Sequence, residues 1–319
     1  MKQRVRGCLL FALLFTFLTL SASAQIVTCR EQLRGLKLEV LPGRVETHFS
    51  AGYRERAVRM QNLLQRGAQF YERSLKLTPT VTLAALGPDD WPKILDKPYG
   101  LPTLRTGPCR RGAYDGPPHY VAIMPVTAGG PIYNDWLAMK TSLSPKTLGK
   151  LKNLGLTYEE GGQALLDFVA LHELGHAYAH ALGIETVSGF LAEFTGNYFA
   201  YAFMRSTKDR MDKRIMTVLR ANIEGIKPIH ASIDKFEKFQ SREDPPTEAW
   251  YNSVFTVKAE EIYDKKGFPF IIRVRDAFKG EKYGSITNDE ILRRLETIQP
   301  GFVEWSKNLE KVVARKKAN

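Results

Sequence analysis

The residues most able to do chemistry sit in ALLDFVALHELGHAYAHALG, from Ala164 to Gly183, where His172, Glu173, His176 and His180 interrupt an otherwise apolar run. On a helix, residues four apart lie on one face, so His172 and His176 project side by side about 5.4 Å apart along the axis. Two imidazoles so placed can share one tetrahedral ion. Zinc suits them, because it takes nitrogen and oxygen ligands at roughly 2.0 to 2.2 Å and has no redox chemistry of its own. Glu173 points into a neighbouring sector, from which a carboxylate can act as general base on a water held by the ion.

An H-E-x-x-H match gains meaning from its surroundings. Here it lies in an apolar helix, where unpaired polar groups would cost several kcal/mol each, and a metal with its supporting hydrogen bonds would satisfy them. Gly175 reads as open space beside the histidines and Gly183 as the residue that ends the helix. The spacing that would supply a third histidine further along the same helix falls on Ala179 and Leu182, so that arrangement is excluded. His180 reads as a helix-face residue or a partner of other groups rather than a ligand. The better third ligand is Glu193 in SGFLAEFTGNYFAYAF, Ser188 to Phe203. Ser188 can cap a new helix, and Glu193 then interrupts its apolar face among Phe190, Leu191, Phe194 and Tyr198. A lone carboxylate there would be very costly without a partner. Asn197, four residues on, can hold a ligating histidine through its other ring nitrogen or serve only as a helix contact.

These parts, HELGH on one helix and FLAEFTGNYFAY on the next, resemble the gluzincin branch of zinc metallopeptidases, and most closely the peptidase MA superfamily. The resemblance covers about residues 158 to 205. It implies His172, His176 and Glu193 as zinc ligands, Glu173 as general base, and a peptide or protein substrate. The chain departs from the pattern at Phe194, where many members have Gly, and at Asn197, where Asp is frequent. PYGLPT, Pro98 to Thr103, looks like a loop common in such proteins, and HYVAIMPV, His119 to Val126, like the sheet edge along which an extended peptide is laid. An electrophilic helper beside the zinc is expected, with Tyr251 or His230 as candidates, although Tyr251 beside Trp250 also reads as core packing. The competing reading is a non-catalytic envelope protein that keeps the scaffold for binding or structure.

The elements that must position these residues fall into two textures, and the expected fold class is α+β and zincin-like: a small mixed sheet packed on a mainly helical part. From 25 to 157, LKLEVLPGRVETHFSAG reads as a hairpin around Pro42-Gly43, the following segment to Leu77 as an amphipathic helix, and Thr80 to Leu86 and 119 to 126 as strands. Gly87 to Gly130, rich in Pro and Gly, reads as a long irregular excursion. From 158 to 319, helices are expected at 159–182, 188–206, 208–224, 247–265, 268–279, 287–298 and 300–314.

The first 24 residues combine Lys2, Arg4 and Arg6, an apolar run from Cys8 to Leu20, and Ala22-Ser23-Ala24, the pattern of a secretory signal cleaved near Ala24. The run is short for a membrane span, so no transmembrane segment is expected after cleavage, and the destination is the periplasm or the exterior. Removing those three cations lowers the formal net charge of +12 by 3, to +9. The remaining basic residues are scattered, which argues against nucleic acid, and pairs such as Arg110-Arg111 and Lys265-Lys266 read as solvated surface. Asp167 is expected to pair with a neighbour or meet solvent. Cys29 and Cys109 remain for an oxidising compartment, where a bridge between them would constrain the unfolded chain by up to about 4 kcal/mol.

Overall fold

The computed structural model describes residues 27–107, 118–184, 187–208, 210–238 and 244–318. The expected hairpin forms, with β1 (Glu39–Leu41) antiparallel to β2 (Glu46–Phe49) and Val40 opposite His48. The helix α2 (Arg54–Leu75) then crosses over to β3 (Thr80–Leu86), which lies parallel to β2, as a crossover of that length requires. β3 and β5 (His119–Pro125) are also parallel, and β4 (Thr103–Arg105) runs antiparallel to β5, giving the order β1-β2-β3-β5-β4.

The two central strands read as nearly continuous apolar runs because both faces of the sheet are covered. Val81, Leu83, Ala85, Tyr120 and Met124 join the main core with α2. Ala84, Leu86, Val121 and Ile123 turn the other way, onto Cys29 and Leu33 of α1 (Cys29–Arg34) and Trp91 of α3 (Trp91–Ile94). The expectation that His119 to Val126 forms the sheet edge is corrected: β5 is paired on both sides, and among the described residues the edge strand beside it is β4, with β1 at the far edge. β4 is three residues of the Pro- and Gly-rich excursion, too short to show an alternation, and its pairing with β5 is what makes it a strand.

Helix also begins earlier than the change of texture near Thr157. α4 (Gly130–Ala138), a 3₁₀ turn (Met139–Ser142) and α5 (Pro145–Asn153) precede it. Gly129-Gly130 reads as a strand breaker but starts α4, and at Gly130, with φ of +78°, a Cβ would lie 2.1 Å from the Tyr99 carbonyl oxygen. Trp136 of α4 stacks on Tyr158 and donates its indole N–H to the Tyr158 carbonyl at 2.7 Å, fixing the start of α6 (Tyr158–Ala181).

α6 opens on a capping box between Thr157 and Glu160 and closes on Gly183, where the Gly183 N–H meets the His180 carbonyl and the Ile184 N–H meets that of Ala179. α7 (Gly189–Ser206) is capped by Ser188 as expected. The helices α8 (Met211–Gly225), α9 (Ile233–Lys238), α10 (Pro245–Lys266), α11 (Pro269–Phe278), α12 (Asn288–Ile298) and α13 (Phe302–Ala318) complete the helical part. Of these only α9 has no counterpart in the expected set.

α6 is the central helix, touching α2, α4, α7, α8, β4 and β5. Arg56 of α2 pairs with Asp167 of α6 at 2.6 Å, the Tyr178 hydroxyl donates to the Ala68 carbonyl, and the Tyr71 hydroxyl donates to the Phe199 carbonyl of α7. The reading of Gly175 as open space is corrected. A Cβ there would lie 2.6 Å from the Gly196 carbonyl oxygen and 3.0 Å from Phe199 Cβ, so Gly175 is where α6 and α7 touch.

No helix among the described residues is long and apolar enough to cross a membrane. The expected signal segment, Cys109 and Arg110-Arg111 lie outside the described residues. Cys29 is disulfide-bonded, and its N–H donates to the Gly107 carbonyl at 2.8 Å, two residues before Cys109. Lys265 pairs with Glu261 at 3.0 Å on the surface.

The α6–α7 contact yields a stability prediction. Gly175→Ala should destabilise the fold by about 1–3 kcal/mol, because both the backbone and Phe199 stand where the methyl would go. An unchanged midpoint in urea unfolding would show that the two helices separate at no cost.

Candidate metal centre

α6 presents His172 and His176, both buried, and α7 presents the half-buried Glu193. The two Nε2 atoms are 2.8 Å apart, and Glu193 places Oε2 3.1 Å from His172 Nε2 and Oε1 3.5 Å from His176 Nε2. Ligands about 2.05 Å from one tetrahedral ion stand about 3.3 Å apart, so these separations bracket what a single zinc-sized ion requires. Gly196 makes room for the group: a Cβ there would be 3.1 Å from Cε1 of both histidines. His172, His176 and Glu193 therefore form a group able to hold a metal ion, and two nitrogens with one carboxylate fit zinc.

The proton positions follow from one backbone oxygen. The Glu193 carbonyl can only accept, so the Asn197 atom 2.8 Å from it is the amide nitrogen. That nitrogen also donates to Asn252 Oδ1 at 2.7 Å. Asn197 Oδ1 is then the atom facing His172 Nδ1 at 3.0 Å, and Nδ1 donates to it. The lone pair of His172 is thereby left on Nε2, aimed at Glu193 and His176, as metal binding needs. Asn197 thus makes both contacts read from its spacing, one to the His172 ring and one within its own helix.

α7 is held at its start as well. The Gly189 and Phe190 N–H groups donate to the Glu237 carboxylate at 2.8 and 3.0 Å, an anion placed at a helix N-terminus. α9, unforeseen in the sequence, supplies Glu237.

Burial alone would push the Glu193 carboxyl up, but the two imidazoles, when they carry their second protons and with them a charge, more than reverse this and hold it well below the usual carboxylate range. Glu173 differs. It is buried beside the histidines, and burial raises its carboxyl despite their opposing effect, with the Glu193 charge adding to the rise. One carboxylate is held ionised by its partners, and the other is left more basic, as a proton acceptor should be.

All four residues line one cavity of about 310 Å³. Its walls come from α6, from Thr103 and Leu104 of β4, from Leu101 and Pro102 of the PYGLPT loop, and from Glu248 and Asn252 of α10. Tyr251 and His230, expected as electrophilic helpers, do not line it. Tyr251 is fully buried, and its hydroxyl donates to the Ser232 carbonyl at 2.9 Å and lies 3.1 Å from His230 Nδ1, so the pair engages itself away from the site. His180 lies outside the group too, with Nδ1 2.9 Å from the Tyr120 hydroxyl.

Glu248 and Asn252 escaped the sequence reading. Their signal was present in the four-residue spacing of a Glu and an Asn on a largely apolar helix, the spacing that singled out Glu193 and Asn197. Burial, with the Glu193 charge next, pushes the Glu248 carboxyl up to about 8, and Lys97 offsets this only in part.

The chain matches no known protein-family model, no curated protein and no solved structure.

A pH prediction follows from Glu248. A carboxyl raised in the fold favours the protonated native state, so its contribution to stability is present at low pH and is lost as pH rises from about 4.5 toward 8. In metal-free protein, Glu248→Gln should therefore raise the unfolding temperature at pH 8.5 by several degrees relative to the parent, with little change at pH 5. An equal difference at both pH values would contradict the assignment.

Proposed function

We propose that the chain is a secreted or periplasmic zinc-dependent peptidase of the gluzincin type. The observation that carries this reading is the placement of Glu173 in the same cavity as the His172, His176 and Glu193 group. A purely structural metal site has its ligands closed around the ion and needs no adjacent base, whereas a hydrolytic one keeps an open position and a proton acceptor beside it. His172, His176 and Glu193 would supply three ligands, one fewer than a closed tetrahedral site uses.

Zinc in this site supplies Lewis acidity, polarising a carbonyl and lowering the pKa of a bound water to about 7. The chain's own residues do the rest. Glu173 takes the proton of the attacking water and delivers it to the leaving amine, for which a carboxyl raised by burial is well matched. Glu193 stays ionised and would offset one of the ion's two charges, and Asn197 holds His172 in the tautomer that leaves Nε2 free to ligate.

β4 supports a peptide as the substrate class. It is an end strand of the sheet, runs antiparallel to β5, and puts Thr103 and Leu104 on the cavity wall. An extended peptide can pair its backbone with such an edge, which brings its carbonyls past the metal group.

Zinc content and cleavage of casein fragments, measured on the parent chain and Glu173→Gln, test this. The expected result is about one zinc in both, with turnover in the variant reduced by 10²-fold or more, on the scale of losing a general base. A zinc-loaded parent that cleaves nothing, or a fully active variant, would overturn the reading.

A further inference from the structure

We propose that Asn252, not Tyr251 or His230, supplies the hydrogen bond that steadies the negative charge developing on the substrate's carbonyl oxygen; this rests on the peptidase reading above. The Glu193 backbone carbonyl fixes the orientation of two side-chain amides. Because it must accept, Asn197 turns its amide nitrogen toward it, and the same nitrogen is 2.7 Å from Asn252. The Asn252 atom at that contact must be its oxygen. The orientation of the Asn252 amide is therefore fixed by a chain of hydrogen bonds running from a backbone group, and its NH₂ is turned away from Asn197.

Asn252 is half-buried and lines the cavity that holds Glu173 and the metal group. Its Nδ2 has no hydrogen-bond partner among the described residues. Three other amide and hydroxyl donors of the cavity wall are engaged within the protein: Ser253 Oγ donates to the Ala249 carbonyl at 2.7 Å, Asn222 Nδ2 to Ser253 Oγ at 3.3 Å, and Thr103 Oγ1 to the Leu104 carbonyl at 3.4 Å. Asn252 thus offers an amide donor of fixed orientation on the cavity wall that no group of the described residues uses. Such a group stabilises developing charge without reorganising at the moment of reaction.

Its position makes the inference specific. Asn252 follows Tyr251 in the chain, but on a helix neighbouring residues point about 100° apart, so Tyr251 enters the core while Asn252 meets the cavity. The helix expected to carry the helper does carry one, on its next face.

Two variants separate this role from mere support of Asn197. Asn252→Asp keeps an oxygen for Asn197 to donate to but has no NH₂ when ionised; Asn252→Leu removes the amide without adding charge. Zinc per chain, kcat and KM on the best-cleaved casein peptide, and the calorimetric affinity of its phosphinic analogue, whose tetrahedral oxygens mimic the charged state, are compared with the parent. Both variants should keep their zinc and lose about 10²-fold or more in kcat, with KM little changed and a parallel loss of phosphinate affinity. Normal kcat and phosphinate affinity in Asn252→Asp, or a loss explained by lost zinc in both, would assign Asn252 a positioning role and overturn the proposal. Failure of the parent itself to cleave any peptide would remove the peptidase reading, and the role of Asn252 with it; a parent that cleaves while the variants match it overturns the proposal alone.

Discussion

Contact between two glycines sets the distance on which the site depends. Gly175 and Gly196 lack side chains where α6 and α7 meet, so the Gly196 backbone can approach both imidazoles and Glu193 can reach their Nε2 atoms. A methyl at either position would have to displace backbone or imidazole. The same closeness lets Asn197 bridge from α7 to His172. Polar groups that would be costly singly in this apolar pair of helices are thus gathered around one point, where a single ion could satisfy them together.

Around that contact the fold works as a clamp. The sheet and α2 hold α6 on one side through Arg56 and Tyr178, and Glu237 holds the start of α7 on another. α10 closes the cavity and joins the metal group through Asn252 and Asn197. Three elements distant in sequence, namely β4, the α6–α7 pair and α10, become walls of one space. On the proposed reading the chemistry of that space would be divided among them: ligands and base on α6 and α7, a pairing edge on β4, and an oriented donor on α10.

Much of the metal group was legible in the sequence because it is local. His172 and His176 share a helix face by spacing alone, the caps at Ser188 and Gly183 are short-range chemistry, and Glu193 stands out as a carboxylate on an apolar face. What was not legible depends on packing between distant segments. β4 is strand only because β5 lies beside it, and Gly175 reads as space until Gly196 is placed against it. Tyr251 and Asn252 are adjacent in sequence, and only the packing of α10 decides which one faces the cavity. The α+β class followed from texture, since apolar runs and helical periodicity need no tertiary contact to be seen.

The central claim is that His172, His176 and Glu193 hold one zinc ion, and zinc-edge X-ray absorption on the purified chain tests it most directly. The account predicts one zinc per chain in a shell of nitrogen and oxygen at about 2.0–2.1 Å, with the scattering signature of two imidazoles and no sulfur, lost in Glu193→Ala. A protein that retains no zinc, or the same shell in Glu193→Ala as in the parent, would contradict it.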